Sequence, residues 1–599
     1  MDLKLYPTKE DWKLRWGMIK GWLFEKETDT INQKISLTQN TQLLLIIILI
    51  ISIVSIVDWP VLSCQALTYD DGQYLLNNEL VQSVNWESCR RFFVEVLSPS
   101  TVGGYYQPLT MLSLMIDFLF AGEIGDLTVF HRTNLILHII NTTLMVFFIY
   151  ILFQNVWVAG LSGLLFGLHP TTIESLAWIS ERKTLLSTMF SMSALIVYLR
   201  AKVNRKLYLV IALAMYILAL MSKPICLPLP LVMLLFDLWP LQRLRKNVVF
   251  EKNFFYLFGL IFGVISFISQ KNTAGVWSPF DFPIFNFDVQ FNIFKLFLAI
   301  IWQLFFYTTK FFWPFPISHR YPFPRVFTLF DSTVLLSIIG VLLLIILCWR
   351  TYPKFKALTV GMSIFVVMLL PTMGIIGVTN TLVSNRYLYL PSIGLIIIVA
   401  AIFNLIVNKL QYFNKKIWII GGLSLLCLLA VIGEFYSSRS FLAMWKDSET
   451  LARHSIKMSS QDPYAYFGLG GVLMKKKDYL GAIAAYQTVL TLQPLAGEKL
   501  YYALGHAYLA NQDYEEALKC YQECLKRQPQ SYLSYYLIGN LFYNQKKYEE
   551  AIFWYNQALE RGQKNFYTNM ALERAYRMMG DLGKAEHFLS EAKAILSKN

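Results

Sequence analysis

The chain has 599 residues, of which 55% are hydrophobic and only 15% charged, against about 25% charged in ordinary soluble domains. Its length alone would suggest about four domains. However, a mean hydropathy of +0.45 and 16% Phe, Trp and Tyr exclude both a soluble globular chain and a disordered one, and point to an integral membrane protein. The formal net charge of +14 divides into +10 before residue 437 and +4 from there on. In the first part the surplus sits in short loops between hydrophobic runs, where the positive-inside rule expects it. No basic stripe on a soluble domain marks a nucleic-acid binder.

In the opening segment, residues 1–41, Trp12, Trp16, Ile19 and Leu23 recur at helical spacing among charged residues. That spacing predicts an amphipathic helix on the cytoplasmic interface, with a frayed terminus as the alternative. The first hydrophobic run starts near Leu43, too deep for a cleaved signal peptide, and is expected to stay as an anchor. A bilayer core takes about 17–25 helical residues. Runs of that length, or nearly so, fall near 42–61, 132–153, 156–170, 184–200, 206–221, 224–240, 253–270, 332–349, 357–378, 387–408 and 416–435. These predict eleven spans in a membrane domain over 42–436. Two other runs, 107–121 (with Asp117 inside it) and 291–313, are assigned by loop charge. Leaving both out keeps Arg200–Lys206, Arg243–Lys252, Arg350–Lys356 and Lys409–Lys416 on the cytoplasmic side. Both are therefore expected to lie in or dip into the outer interface. An odd number of spans then puts the loop 62–131 and everything after the last span outside the cytoplasm.

Seven cysteines are too few and too scattered for a disulfide framework. Cys226, Cys348 and Cys427 lie in hydrophobic runs. Cys64 and Cys89 flank the outer loop, where a bridge is chemically allowed. Cys520 and Cys524 stand one helical turn apart, without the further ligands that zinc needs.

After an expected linker at 437–463, the segment 464–599 has the composition of a soluble protein and a period. Gly505 and Gly539 recur 34 residues apart, with Gly470 as an earlier copy. Ala482, Ala517, Ala551 and Ala585 follow, then Tyr486, Tyr521 and Tyr555, and Pro494 and Pro529 close two units. Small residues where paired helices touch and aromatics between the pairs are the tetratricopeptide pattern, in three copies and a degenerate fourth. The expected fold is all-α: a polytopic membrane bundle followed by an α-solenoid whose concave face binds extended peptides. Tyr532 and Tyr536 are candidates to line that groove.

Polar residues in an apolar chain are informative because they must stay solvated or paired. On the side assigned as outer stands Tyr69-Asp70-Asp71-Gly72, whose carboxylates suit proton transfer, a divalent cation or an Asx turn. Next come His131, Asn134, His138 and Asn141, within about 80° on one helix face. His138 and Asn141 lie deeper and suit a polar seam between membrane helices, whereas His131 and Asn134 lie nearer the outer water. Third is His169-Pro170-Thr171-Thr172-Ile173-Glu174 with Glu181-Arg182-Lys183, where Pro170 fits a helix start with free N–H groups. Ser222-Lys223-Pro224 and Asn385-Arg386-Tyr387 add cations at two further outer turns. Carboxylates and cations on one membrane face suit transfer of a group from a lipid-linked phosphate. A carboxylate would take the acceptor's proton while Arg, Lys or a metal holds the departing phosphate.

The chain resembles the transmembrane-and-tetratricopeptide O-mannosyltransferase-like family, in a shorter bacterial-looking form, within the GT-C glycosyltransferases. The resemblance is carried by YDDGQYLLNN from Tyr69, HRTNLILHIINT from His131, LHPTTIESLAWISERKTLLSTMF from Leu168, MSKP from Met221, SNRYLYLPSIGL from Ser384 and MWKDSETLARH from Met444. It implies inverting transfer of a mannose-like hexose from a polyprenyl-phosphate-linked donor to Ser or Thr of a protein outside the cytoplasm. In a bacterium the membrane would be the plasma or inner one. The family's acidic motif matches Asp70 and Asp71, and its second acidic position resembles Glu174. Thr172 stands where that block usually carries a second histidine, and Asn385 where alanine or glutamate often precedes the Arg.

On this reading the catalytic set is Asp70, Asp71 and Glu174. Asp70 or Asp71 is the general base, and the other orients it or a divalent cation. Glu174 and His169 bind sugar hydroxyls, and His131 and Asn134 are further candidates for substrate binding. Arg182, Lys183, Lys223 and Arg386 compete for the phosphate, with Arg386 favoured because guanidinium pairs bidentately with phosphate. The repeats would hold the acceptor polypeptide. Two rivals are a non-catalytic membrane-anchored scaffold for an envelope or secretion complex, and a transporter of lipid-linked sugars. The second would call for similar halves within 42–435, and none is visible.

Overall fold

The computed structural model describes residues 30–67, 69–103, 105–201, 204–274, 293–321, 328–374, 382–410, 416–494, 497–562 and 565–596. The amphipathic stretch expected around Trp12–Leu23 lies outside these residues. Among them there is no strand.

The apolar part folds into helices α1 (Thr30–Asp58), α2 (Pro108–Ala121), α3 (Thr128–Phe153), α4 (Val156–Leu168), α5 (Arg182–Leu199), α6 (Arg205–Ser222) and α7 (Leu229–Leu238). Then follow α8 (Asn253–Ala274), α9 (Ile293–Phe312), α10 (Ser332–Thr351), α11 (Lys356–Leu369), α12 (Ser392–Leu410) and α13 (Lys416–Met444). One core joins most of them through Phe148, Phe166, Met192, Phe236, Ile364 and Leu395. On α4 a stripe of glycines lets backbones approach closely. A Cβ at Gly160 would lie 2.9 Å from Ile46 of α1, and one at Gly167 would meet both Val54 and Thr142. On α10 Leu336, Leu343 and Trp349 stay exposed. Each large apolar side chain left in water forgoes about 1.5–3 kcal/mol, so that face is one for lipid.

The protein is a multi-pass membrane protein, but eleven spans do not emerge. Among the described residues, seven helical stretches are long and apolar enough to cross: Gln39–Ser63, Thr128–Phe153, Arg205–Ser222, Asn253–Asn272, Ile293–Phe312, Ser332–Thr351 and Ser392–Lys409. Val156–Leu168 and Pro170–Ala177 make an eighth if their 49° bend counts as one broken span. At 1.5 Å per residue a helix needs about 20 residues to cross. Several sequence runs fall short because the chain bends inside them. Pro224–Cys226 is a separate 3₁₀ turn before α7, and Leu370–Thr372 ends α11. Ile293–Phe312, assigned to the interface by loop charge, passes the same length and hydropathy test as the others.

The interval 437–463 is largely helical: α13 runs to Met444, and α14 (Ser448–Met458) packs on α15 (Pro463–Lys475). With α15 begin four helix pairs, continued by α16 (Tyr479–Leu492), α17 (Glu498–Ala510), α18 (Tyr514–Arg527), α19 (Tyr532–Asn544), α20 (Tyr548–Arg561), α21 (Phe566–Met579) and α22 (Leu582–Leu596). The sequence period has a simple cause. The rings of Tyr486, Tyr521 and Tyr555 press on Gly470, Gly505 and Gly539, where no side chain would fit. Ala482, Ala517 and Ala551 are wholly buried between paired helices. Tyr532 is partly exposed, whereas Tyr536 packs on Tyr555 at 5.8 Å between ring centroids.

Candidate active site

The motifs converge at one end of the bundle, where α1, α4, α6 and α13 end and α3, α5 and α12 begin. After α1 the chain forms a loop that turns into a short π-helical segment at Gly72–Leu76. The Asp70 carbonyl accepts the N–H groups of Gln73 and Tyr74, both at 2.9 Å. Asp71 faces inward and is wholly buried. Its carboxylate accepts the backbone N–H of Leu67 at 2.8 Å, the N–H of Ser180 at 2.9 Å and the Ser180 hydroxyl. Burial pushes this carboxyl up to about 6, against the pull of those hydrogen bonds. Asp71 therefore fastens the loop onto the turn that precedes α5.

Asp70 is its opposite. Its side chain is 48% exposed and lies 3.4 Å from Lys183 Nζ. Lys183 also donates to the Tyr74 hydroxyl at 3.1 Å, and Tyr74 passes a hydrogen bond on to Gln107 at 3.0 Å. Behind Lys183 stands Glu181, ringed by cations: Lys223 Nζ at 3.0 Å, Arg386 Nε at 3.4 Å and Lys183 Nζ at 3.7 Å. Burial alone would raise the Glu181 carboxyl, but Lys223, Lys183 and Arg386 outweigh it and hold Glu181 well below the usual carboxylate range. Burial in turn pushes the Lys223 ammonium down to about 8, despite the attraction of Glu181, with Lys183 and Arg386 adding repulsion.

Arg386 links this centre to Glu174. Its Nη1 reaches Glu174 at 3.1 Å, and its guanidinium lies over the Trp178 ring at 4.8 Å. Glu174 is buried and also accepts the Ser384 hydroxyl at 2.5 Å and the Asn385 N–H at 3.1 Å, with His319 Nδ1 3.6 Å away. Asp70, Lys183, Lys223, Arg386 and Glu174 are thus brought into one cluster, centred on Glu181.

The other candidates are not in it. Arg182 points the opposite way from its neighbours because successive residues at a helix start are rotated by about 100°. Its guanidinium is buried against Asp117 at 2.6 Å, Asn134 Oδ1 at 2.6 Å and the Phe130 carbonyl at 2.7 Å. Asn134 spends its amide on the Leu176 and Trp178 carbonyls. His131 is buried on the same helix, next to the Cys64 backbone and Arg182. His169 Nε2 lies 2.9 Å from the Phe311 carbonyl, which only accepts, so this nitrogen carries the proton. Its Nδ1 then accepts from Thr171, and the ring stacks on Phe311 at 5.1 Å. Arg182, Asn134 and His169 thus tie separate segments of the bundle together. His138 and Asn141 do the same deeper down, sharing the Tyr389 hydroxyl at 2.8 and 3.3 Å.

Two further points concern the outer loop. Cys64 and Cys89 are both free and belong to different apolar clusters. The Asp70–Asp71 pair does not fit a two-carboxylate cation site, since Asp71 spends both oxygens on Leu67 and Ser180. Among the described residues no group of three or more His, Cys, Asp or Glu is arranged to hold a metal.

Glu181, Tyr74 and His319 went unselected in the sequence. Glu181 stands within ISERK beside two cations, in no motif of its own, and only the fold brings Lys223 and Arg386 to it as well. Tyr74 follows the acidic motif at a spacing that only the π-helical turn makes meaningful. His319 lies in an aromatic, proline-rich loop without periodicity.

A tetratricopeptide-repeat family matches residues 445–496 and 502–566. The chain is 23% identical over 430 residues to the protein O-mannosyl-transferase F38B6.6 of Caenorhabditis elegans, covering 69% of this chain and 58% of that protein. It is 22% identical over 485 residues to the protein O-mannosyl-transferase TMTC4 of Mus musculus, covering 70% of this chain and 63% of that protein. The chain thus spans just under two thirds of the length of these relatives. A solved structure of MamA aligns with 25% of this chain at 18% identity and a TM-score of 0.23, too low to carry an argument. With its apolar helices, its C-terminal repeats and the length of these matches, the chain is similar to the transmembrane-and-tetratricopeptide O-mannosyltransferase-like family.

Proposed function

We propose that the protein is a membrane glycosyltransferase that moves a mannose-like hexose from a polyprenyl-phosphate-linked donor to Ser or Thr of a polypeptide, with inversion. The relatives named above are called protein O-mannosyl-transferases, which supports the reaction class. The observation that carries the reading is the partly exposed Asp70 carboxylate beside the Lys183–Glu181–Lys223–Arg386 cluster. Two chemistries meet there: a base open to an acceptor hydroxyl, and several cations within reach of one phosphate.

Asp70 takes the hydroxyl proton as the oxygen attacks the anomeric carbon. The bond from that carbon to the phosphate oxygen breaks, and the polyprenyl phosphate leaves with the electron pair. Lys183, Lys223 and Arg386 share the developing charge. A single displacement from the face opposite the phosphate inverts the anomeric centre. Glu181 and Glu174 are not bases on this account. They are buried counter-ions that keep three cations together before the donor arrives, since like charges packed alone would repel one another. Asp71 holds the loop.

The repeats and the polypeptide acceptor belong outside the cytoplasm on this reading. The test is reconstitution in nanodiscs with radiolabelled polyprenyl-phosphate hexoses and a mixed extract of envelope proteins. Label transferred to protein supports the reading. Binding of every donor without transfer would refute it.

A further inference from the structure

The loop carrying Asp70 is held from two sides. Asp71 ties it to Ser180 on the membrane side. On the other side lies the start of the repeat domain. The Gln65 N–H donates to the Lys446 carbonyl at 2.8 Å, just ahead of α14. The Tyr69 ring sits 5.3 Å from His319 and 6.2 Å from Trp178. Both of those rings pack on Trp445, at 5.1 and 6.1 Å. The far end of Tyr69 meets α15: a Cβ on Gly468 would come within 3.2 Å of its hydroxyl. Arg320, next to His319, reaches the Asp462 carboxylate at 3.6 Å and lies 4.0 Å over the Tyr464 ring. Asp462 also caps α15 by accepting the Tyr464 N–H at 3.0 Å, so Arg320 grips the N-terminus of that helix.

We propose that the first repeat is a wall of the transfer site and that Tyr69 is a positioning residue. Helix α15 presses Tyr69 onto His319 and Trp178, and the adjacent Asp70 is thereby set at its distance from Lys183. This inference rests on the reading of Asp70 as the base. It adds that the repeats are not an arm swinging on a tether. A tether supplies an acceptor at an effective concentration of about millimolar, whereas a docked repeat delivers the chain at a fixed orientation to the base. An acceptor polypeptide lying along the solenoid reaches Asp70 past α15. The hydroxyls chosen are therefore those at a set distance from the segment bound by the repeats.

The experiment uses the full chain in nanodiscs with four variants that spare the proposed catalytic groups: Gly468→Leu, Arg320→Ala, Tyr69→Ala and Tyr69→Phe. Hydrogen exchange is followed at the backbone amides of 69–78, alongside kcat and donor KM with polyprenyl-phosphate mannose and a peptide acceptor. The first three variants are expected to speed exchange in 69–78 about tenfold, with α3 and α5 unchanged. They should also lower kcat about tenfold while donor KM stays within about twofold. Tyr69→Phe keeps the ring and should keep kcat. Unchanged exchange in Gly468→Leu and Arg320→Ala would overturn the docking. Faster exchange with undiminished kcat would overturn the positioning role. A wild-type chain that transfers no sugar would instead sink the transferase reading, and exchange would still decide whether α15 holds the loop.

Discussion

Asp71 and Ser180 stand 109 residues apart in the chain, yet the Asp71 carboxylate accepts the Ser180 backbone N–H at 2.9 Å as well as its hydroxyl. With the Leu67 N–H as a third donor, this makes the inner of two adjacent carboxylates a fastener. Asp71→Asn turns an amide NH₂ toward one of these donors. The expected cost is about 1–3 kcal/mol, that of an unsatisfied buried donor. Asp70→Asn, on a partly exposed side chain, should cost less than about 0.5 kcal/mol. Chemical denaturation of the detergent-solubilised protein measures both. Equal midpoints would remove the distinction.

Lys223 gives a prediction about pH. Its ammonium is held down to about 8, so the cation is present below that pH and lost above it. With the phosphate of the donor as its task, kcat/KM is expected to decline as pH rises through about 8, because that ratio reports the free enzyme. Lys223→Arg keeps its charge across this range and should remove the decline. A profile that the substitution leaves unmoved would take Lys223 out of phosphate binding.

Arg182 was a phosphate candidate, and its burial against Asp117 assigns it to the fold instead. Arg182→Met leaves a buried carboxylate unpaired, at a cost of about 3–5 kcal/mol. Replacing both partners, as Arg182→Met with Asp117→Leu, should recover most of that loss. Thermal midpoints of the single and double variants decide it, and a double variant as weak as the single would contradict this assignment.

These outcomes show where sequence reasoning reaches. The repeats were legible because Gly505 and Gly539 face the Tyr521 and Tyr555 rings in the same way, one period apart. The cluster was legible in outline, since charged residues in an apolar chain must gather somewhere. The choice between Asp70 and Asp71 was not, because it depends on Ser180, a partner remote in sequence. Nor was the division within Glu181-Arg182-Lys183. At a helix start, one residue of rotation sends Lys183 to Asp70 and Arg182 to Asp117. Eleven spans are not confirmed, because Pro170, Pro224 and Pro371 break apolar runs that hydropathy alone reads as continuous.

The side of the membrane is open to a chemical test. Lys499 is exposed at the start of α17. A Lys499→Cys variant is expected to react with an impermeant maleimide from outside intact cells. Labelling seen only after lysis would place the repeats in the cytoplasm and end their role in holding an extracytoplasmic acceptor.

The central claim is that Asp70 is the base and Asp71 is not. Single-turnover transfer from polyprenyl-phosphate mannose to a peptide, with donor saturating, tests it in the Asp70→Asn and Asp71→Asn proteins. The account predicts a rate lowered about 10²–10⁴-fold in Asp70→Asn, the range for loss of a general base. The folded fraction of Asp71→Asn should retain measurable transfer. Near-normal transfer by Asp70→Asn, with loss in a folded Asp71→Asn, would contradict it.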